Sequence, residues 1–458
     1  MFKSRPTTYI TYRKRQRSLP LKAIVLATPL VLIFLEVLAR LLVGITGKTT
    51  ELAAYEGEPA IVNVYRLKFL DQNQKPYDGL SDRGQLSAQR SLAVGYRLVG
   101  NQQSSFWQIN EQGFRDDNPV PLAKPKDEIR IFLLGGSTAF GQWNPSNKAT
   151  LASKLEARLN ERIAQQRRSP EKYRPAILPF YKPDRIKALA LPPQMRDGQY
   201  RVINAAVPGY ASGNQLAQLA LQILPYSPDA IVVLDGYTDL LLPSDRIATD
   251  IPHMEKFLSN APGHLWIFLT QQLRYAIAEM YLVRATQYWI LRPQPSASRL
   301  SLMALDETKP LDRYLAAEPA ELERRVARYR EMKKQMVRLT TGAKIRLIVA
   351  LQPEITGLSS SKRSSREQEI LNQLGPIYQQ RVQMGYDQLQ RASQELQKAY
   401  PKNLRMLSFY QLDREVNEEV FYDAIHLTEQ GNALLVDTFY RELSNSPQLQ
   451  VIPPKMPK

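Results

Sequence analysis

The sequence predicts an α/β protein: a mostly parallel sheet of about five strands, covered by helices on both faces and preceded by one N-terminal transmembrane helix. Three observations lead there. Short, β-rich apolar runs recur along the chain, helical patterns alternate with them, and a single long apolar run near the N-terminus carries only two charges. Parallel strands need crossover connections, and those place helices on both faces of the sheet.

Four runs read as buried strands: residues 129–135 (IRIFLLG), 201–207 (RVINAAV), 229–236 (DAIVVLDG) and 344–351 (KIRLIVAL). A weaker fifth covers 403–409 (NLRMLSF). Helical periodicity fills about 148–165, 213–224, 319–339, 366–399 and 428–443. Two stretches break the rhythm. Residues 167–200 are basic and dotted with proline, and 242–318 contain an aromatic amphipathic stretch at 264–290. Both are too long for plain connections and read as insertions or lids over the edge of the sheet. The aromatic stretch is expected to pack in the core in preference to lining a substrate groove.

The apolar run at 23–45 has about the length that crosses a hydrocarbon layer of roughly 30 Å as a helix. Glu36 and Arg40 interrupt it, each costing roughly 2.5–3.5 kcal/mol at a bilayer centre, but their i,i+4 spacing lets them pair. No A-x-A-like cleavage site follows, so an uncleaved anchor is expected. Seven basic residues precede it (Lys3, Arg5, Arg13, Lys14, Arg15, Arg17, Lys22), against Lys48 and Glu51 just after it. That asymmetry places the N-terminus in the cytoplasm and the body outside, on the periplasmic side. The expected organisation is a basic tail at 1–22, the anchor at 23–45, an extension at 46–128 packing on the core, the main domain at 129–445, and a frayed tail at 446–458.

Composition excludes several chemistries. The chain has 458 residues and no cysteine, so it has no disulfide, thiolate zinc site or cysteine nucleophile. Its imidazoles are His253, His264 and His426. Beyond the N-terminal cluster the positive excess is spread thinly, without the dense Lys/Arg stripe of a nucleic-acid binder, and no nucleic-acid partner is expected.

The chemistry-bearing motifs fall at strand ends. The first strand closes in LLGGSTAFG, placing Ser137 at the carboxyl end of a central strand, where α/β sheets put their ligands. Gly-Gly-Ser also makes an ordinary loop or helix cap. The second strand ends in NAAVPGY, where Gly209 is either a turn glycine or a backbone donor to an oxyanion; the third ends in LDGYTDLL. After the fifth comes FYDAIHLTEQG. There Asp423 and His426 are spaced so that the carboxylate accepts from Nδ1 while Nε2 faces a hydroxyl, and Thr428 can cap the next helix.

Taken in order, these blocks resemble the SGNH hydrolases, also called GDSL esterases and lipases, over about 129–443 outside the two insertions. Gly135-Gly136-Ser137 is similar to the Gly-Gly-Ser form of membrane-anchored bacterial members. Gly209 matches the second block, Gly236-Tyr237-Thr238-Asp239 the Gly-x-Asn-Asp block, and Asp423-Ala424-Ile425-His426 the Asp-x-x-His block. The resemblance implies a flavodoxin-like sheet, a Ser137–His426–Asp423 triad, and an oxyanion hole made by Ser137 and Gly209 with Thr238, where threonine stands in place of the family's asparagine. Losing one such donor typically costs about 10²–10³ in rate. No metal or organic cofactor is implied. The implied substrate is an ester, such as an O-acyl or O-acetyl group of an envelope polysaccharide or a lipid ester. A transferase passing the acyl group to a sugar hydroxyl would use the same triad. A catalytically idle fold serving polysaccharide assembly is the alternative from another class. Upstream, INEQGFRDDN is similar to a segment of the same relatives, and its Arg115 offers its charge to a substrate anion or, in preference, to a structural ion pair with Asp116, Asp117 or an acidic side chain elsewhere.

Overall fold

The computed structural model describes residues 21–55, 57, 60–77, 84–251, 259–291, 309–412 and 418–453. Nearly all of the expected basic tail lies outside the described residues. The chain divides into two compact units, Met1–Gly57 with Gln272–Pro293 and Glu58–Gln271 with Gln294–Lys458.

The smaller unit is built on α1 (Leu21–Thr46), followed by α2 (Thr49–Ala54). Within α1, Ala27–Thr46 is long and apolar enough to cross a membrane, and Leu30, Phe34 and Leu41 are exposed along it. Arg40 Nε donates to Glu36 at 2.9 Å, the i,i+4 pair expected from the sequence. Glu36 also accepts from the backbone N–H groups of Tyr281 (3.0 Å) and Leu282 (2.9 Å), which open α10 (Tyr281–Ala285). A carboxylate inside the apolar helix thus caps a second helix, meeting N–H groups that have no partner within that helix.

The larger unit opens with α3 (Ala60–Tyr65) and a three-stranded sheet of β1 (Leu67–Leu70), β2 (Leu86–Ser91) and β3 (Gly95–Leu98). Here β1 pairs parallel and β3 antiparallel to β2. A short ribbon of β4 (Gln102–Gln103) and β5 (Gln108–Ile109) follows. The main sheet has five parallel strands: β6 (Glu128–Gly135), β7 (Gln199–Asn204), β8 (Ala230–Asp235), β9 (Arg346–Leu351) and β10 (Leu404–Ser408), in the spatial order β10-β9-β8-β6-β7. All five lie within a few residues of the runs the sequence marks.

The order matters for function. From β6 the chain builds β7 on one side, then crosses back to build β8 on the other, so the carboxyl end of β6 is the switch point at which an open α/β sheet forms a crevice. The alternation of apolar side chains covers both faces. Ile131, Leu133, Val232, Leu234 and Ile348 enter one cluster, while Phe132, Leu134, Ile231, Val233 and Val349 enter the other. Against the first face lie α5 (Leu151–Arg168) and α13 (Glu429–Ser444), through Leu155, Leu159, Leu435 and Phe439. The second takes Met336 and Val337 from α11 (Pro319–Gly342) and Leu396 from α12 (Ser365–Ala399). Within α12, Gly375 at φ 80° before Pro376 marks a kink, as expected where proline removes a helix donor.

Short helices follow three of the strands: α4 (Ser137–Phe140) directly after β6, α8 (Tyr237–Leu241) directly after β8, and α7 (Ser212–Gln218) after β7 and an intervening turn. The insertion at 167–200 carries α6 (Lys182–Ala190) on the surface.

Two expectations are corrected. The aromatic stretch at 264–290 does not pack in the core. Its helix, α9 (Ala261–Ala278), exposes Leu265, Trp266, Leu269, Leu273 and Ile277. The expected frayed tail is docked at its start. Leu449 is fully buried, its carbonyl accepts from Arg196 N, and Val451 N donates to Gln194 O.

Candidate active site

Ser137 occupies the first position of α4, directly past the switch point. Close packing dictates the residues before it. A Cβ on Gly135 would lie 2.3 Å from Leu234 O and 2.5 Å from Ala139 Cβ, so only glycine lets β6 run this tightly beside β8 into the turn. No side chain caps α4 at Gly136, the residue directly before Ser137.

Arg115 secures the other end of this turn. Nη1 donates to Phe140 O (3.2 Å) and Gly141 O (2.7 Å), Nη2 to Tyr65 Oη and Phe106 O (3.0 Å each), and Nε to Asn147 Oδ1 (2.9 Å). Buried and spent on neutral acceptors, it is neither a substrate-anion site nor half of an ion pair with Asp116 or Asp117; Asp116 pairs with Arg201 instead.

The second block is a turn at the same edge. Tyr210 N bonds Val207 O at 3.1 Å, with Pro208 at the second position and Gly209 at φ 84° in the third, the pattern of a type II turn. Tyr96 of β3 holds it, its hydroxyl donating to Pro208 O at 2.6 Å. Val207 N reaches Gly135 O at 3.1 Å, and a Cβ on Gly136 would meet Tyr210 O at 3.3 Å.

The third block closes the opposite side. Thr238 Oγ1 would be 3.6 Å from that same Cβ on Gly136. Asp239 takes Ser212 N on Oδ2 (3.0 Å) and Ser212 Oγ on Oδ1 (2.5 Å), tying this block to the start of α7. Beneath it, Asp235 at the end of β8 pairs with the fully buried Lys333 of α11, and burial pushes its carboxyl up to about 6 against the pull of that lysine.

Asp423 and His426, both fully buried, sit in the loop before α13. Asp423 Oδ1 accepts from Ile425 N (3.0 Å) and His426 N (2.9 Å), which folds the loop back on itself. Oδ2 faces His426 Nδ1 at 2.6 Å and accepts from Trp143 Nε1 at 2.9 Å. Trp143 Nε1 lies 3.1 Å from His426 Nδ1 as well, which fits two N–H donors converging on one oxygen. With four donors the carboxylate is saturated. Burial alone would raise its pKa; the charge and hydrogen bond of His426, with the two backbone N–H bonds, outweigh that and hold it below the ordinary carboxylate range. His426 Nε2 is buried with no hydrogen-bond partner, so Ser137 is not bonded to it in the free protein. The two segments are nonetheless joined. Thr138 Oγ1, next to Ser137, donates to Ile425 O, next to His426, at 3.2 Å, and itself accepts from Gln352 Nε2 at 3.0 Å.

All five residues singled out from the sequence therefore stand at one edge of the sheet, and Thr428 caps α13 as expected, accepting from Gly431 N. The sequence reading missed Trp143, Gln352 and Glu354. Trp143 adopts φ 71°, a backbone region bulky side chains rarely occupy, and its indole reaches the carboxylate from there. No spacing rule reveals such a contact. Gln352 and Glu354 had a readable signal: they are polar residues immediately beyond a buried strand at the carboxyl edge. Among the described residues no group of three or more His, Asp or Glu side chains is gathered as a metal-ligand set.

No family profile matches the chain, and no curated protein matches it in sequence. Solved structures similar to it include lipases, acylhydrolases and esterases, among them GDSL-type proteins. A lipase/acylhydrolase from Enterococcus faecalis is 16% identical, with 69% of this chain and 95% of that one covered at a TM-score of 0.35. A GDSL-like lipase from Bacteroides thetaiotaomicron is 11% identical, covering 68% and 86% at 0.28. An acetyl xylan esterase is 11% identical, covering 69% and 100% at 0.28.

Two expectations follow from the site. Trp143→Phe keeps the ring but removes one donor from a buried carboxylate, and should cost about 2 kcal/mol of stability at pH 7. Denaturant unfolding of the purified chain measures it. The deficit should narrow at acid pH, because a depressed carboxylate contributes its stability above the unfolded pKa and loses it as pH falls.

Glu354 behaves oppositely. Burial pushes it up to about 7, against hydrogen bonds from Thr356 and from Tyr378 Oη at 3.0 Å. Its folded pKa exceeds its unfolded value, so its contribution is fully present below the unfolded pKa and is lost as pH rises through about 7. Glu354→Gln should therefore flatten the decline in unfolding free energy between pH 5 and 8, by on the order of 3 kcal/mol. An unchanged pH profile would contradict this.

Proposed function

We propose that this chain is an SGNH-type serine hydrolase acting on an ester. One observation carries the reading: a fully buried Asp423–His426 pair at 2.6 Å presents an unpartnered Nε2 in a loop hydrogen-bonded to the turn that bears Ser137. An imidazole held by a saturated carboxylate is suited to take and return one proton.

In the proposed reaction His426 Nε2 takes the Ser137 hydroxyl proton as Oγ bonds to the ester carbonyl carbon. The Ser137 and Gly209 N–H groups, with the Thr238 hydroxyl, receive the oxyanion. Collapse expels the alcohol, which leaves with the proton from Nε2, and the acyl group remains on Ser137. Water activated by the same imidazole then releases the acid; a sugar hydroxyl in its place would make the chain an O-acyltransferase. Catalytic hydrogen bonds are often long in the free enzyme and tighten with substrate, which accommodates the open Ser137–His426 contact. The substrate class we assign is an O-acyl ester of an envelope polysaccharide, with the chain held at the membrane by α1 and its larger unit outside the cytoplasm. The basic residues before α1 support that orientation.

A fluorophosphonate probe tests the chemistry, because it bonds to activated serines. Wild-type protein should label, Ser137→Ala should not, and His426→Ala should label at least about 10²-fold more slowly. Unlabelled, folded wild-type protein would leave the catalytically idle alternative. Orientation is read separately with C-terminal reporters, where alkaline phosphatase should be active and a cytoplasm-dependent fluorescent protein dark. The reverse pattern would exclude an extracytoplasmic body.

A further inference from the structure

The helix α9 is unusual for a soluble surface. Over 261–291 the chain carries only Arg274, Glu279 and Arg284 as charged residues. Yet Leu265, Trp266, Leu269, Leu273 and Ile277 are 57%, 69%, 51%, 62% and 45% exposed. Leu265, Leu269, Leu273 and Ile277 recur every four residues, so they form one stripe about 18 Å long. No described side chain of α9 is buried. Scattered apolar residues on a surface need no explanation, whereas a continuous stripe of this kind marks an interaction face.

We infer that α9, with the segment through residue 291, is a second membrane-contacting element that lies in the bilayer interface. This extends the proposed anchoring and rests on it. Three features favour lipid as the occupant. First, only two residues separate α9 from α10, whose opening N–H groups are satisfied by Glu36 from within the candidate span Ala27–Thr46. Backbone donors met by a protein carboxylate in place of water are what an apolar solvent demands. Secondly, Arg40 pairs with that carboxylate and lies over the Tyr281 ring at 4.9 Å, so the two charges of the apolar helix are used in holding this segment. Thirdly, Trp266, Tyr275, Tyr281, Tyr288 and Trp289 interleave with Arg274 and Arg284, the aromatic and basic mixture favoured where hydrocarbon meets headgroups.

The absence of native cysteine makes the test direct, because each introduced thiol is unique. Full-length Leu265→Cys, Leu269→Cys, Leu273→Cys and Ile277→Cys proteins, with Leu32→Cys in α1 as a reference, are labelled with a nitroxide. They are then reconstituted in phosphatidylcholine vesicles containing one quarter phosphatidylglycerol. Power-saturation spectroscopy compares collisions with oxygen, which partitions into lipid, and with a water-soluble nickel chelate. Oxygen-dominated relaxation at the four α9 sites and at Leu32→Cys is the expected result. Nickel-dominated relaxation on α9 with an oxygen-dominated reference overturns this inference and leaves the anchor standing. Nickel dominance at both overturns the anchoring as well. Protection from both reagents with spin–spin broadening means that a second copy covers the stripe, which also overturns the inference. Circular dichroism and denaturant unfolding of each variant, compared with those of unmodified protein, report whether its fold is intact.

Discussion

One saturated carboxylate underlies the arrangement of this site. A buried, ionised Asp423 is costly unless each of its lone pairs is met, and here four N–H groups meet it. Two come from its own loop, one from the imidazole and one from an indole on the segment after β6. The same charge therefore folds the loop, selects the tautomer of His426 and draws together stretches of chain about 280 residues apart. Remove a donor and the cost appears in several places at once, because the bonds share one acceptor.

Around that centre the second and third blocks are fixed by contacts that need no substrate. Tyr96 grips the Pro208–Gly209 turn, Ser212 is bound to Asp239, and Ile355 N donates to Ala424 O at 2.9 Å. Such prior fixing matters because donors that need no reorganisation when charge develops are worth more than flexible ones. The Nε2 of His426 differs from these, being one of the buried polar atoms for which the folded chain supplies no partner.

Much of this was legible in the sequence because the signals are local. A buried strand announces itself by an apolar run, and β6 to β10 fall within a few residues of the runs found by inspection. Asp423 and His426 are three residues apart, so their pairing is a short-range property. What escaped depends on distant geometry. Trp143 gives no pattern, since its role comes from an unusual backbone angle and a loop far along the chain. Arg115 was legible as a charge but not as a clamp on neutral carbonyls. The stripe on α9 was read as core because a periodic apolar face looks the same whether protein or another apolar phase covers it.

The support that β3 gives to the Pro208–Gly209 turn bears on modularity. A boundary drawn at residue 129 would seem natural, since the parallel sheet starts there. Yet Tyr96 and Tyr210 pack edge to face at 5.4 Å, Asn214 donates to Val94 O, and Arg115 and Tyr65 brace α4. Tyr65, Val94, Tyr96 and Arg115 are thus part of what holds the turns after β6 and β7 in place. A chain that began at residue 129 would keep the Ser, His and Asp side chains but lose the contacts that hold their surroundings in place.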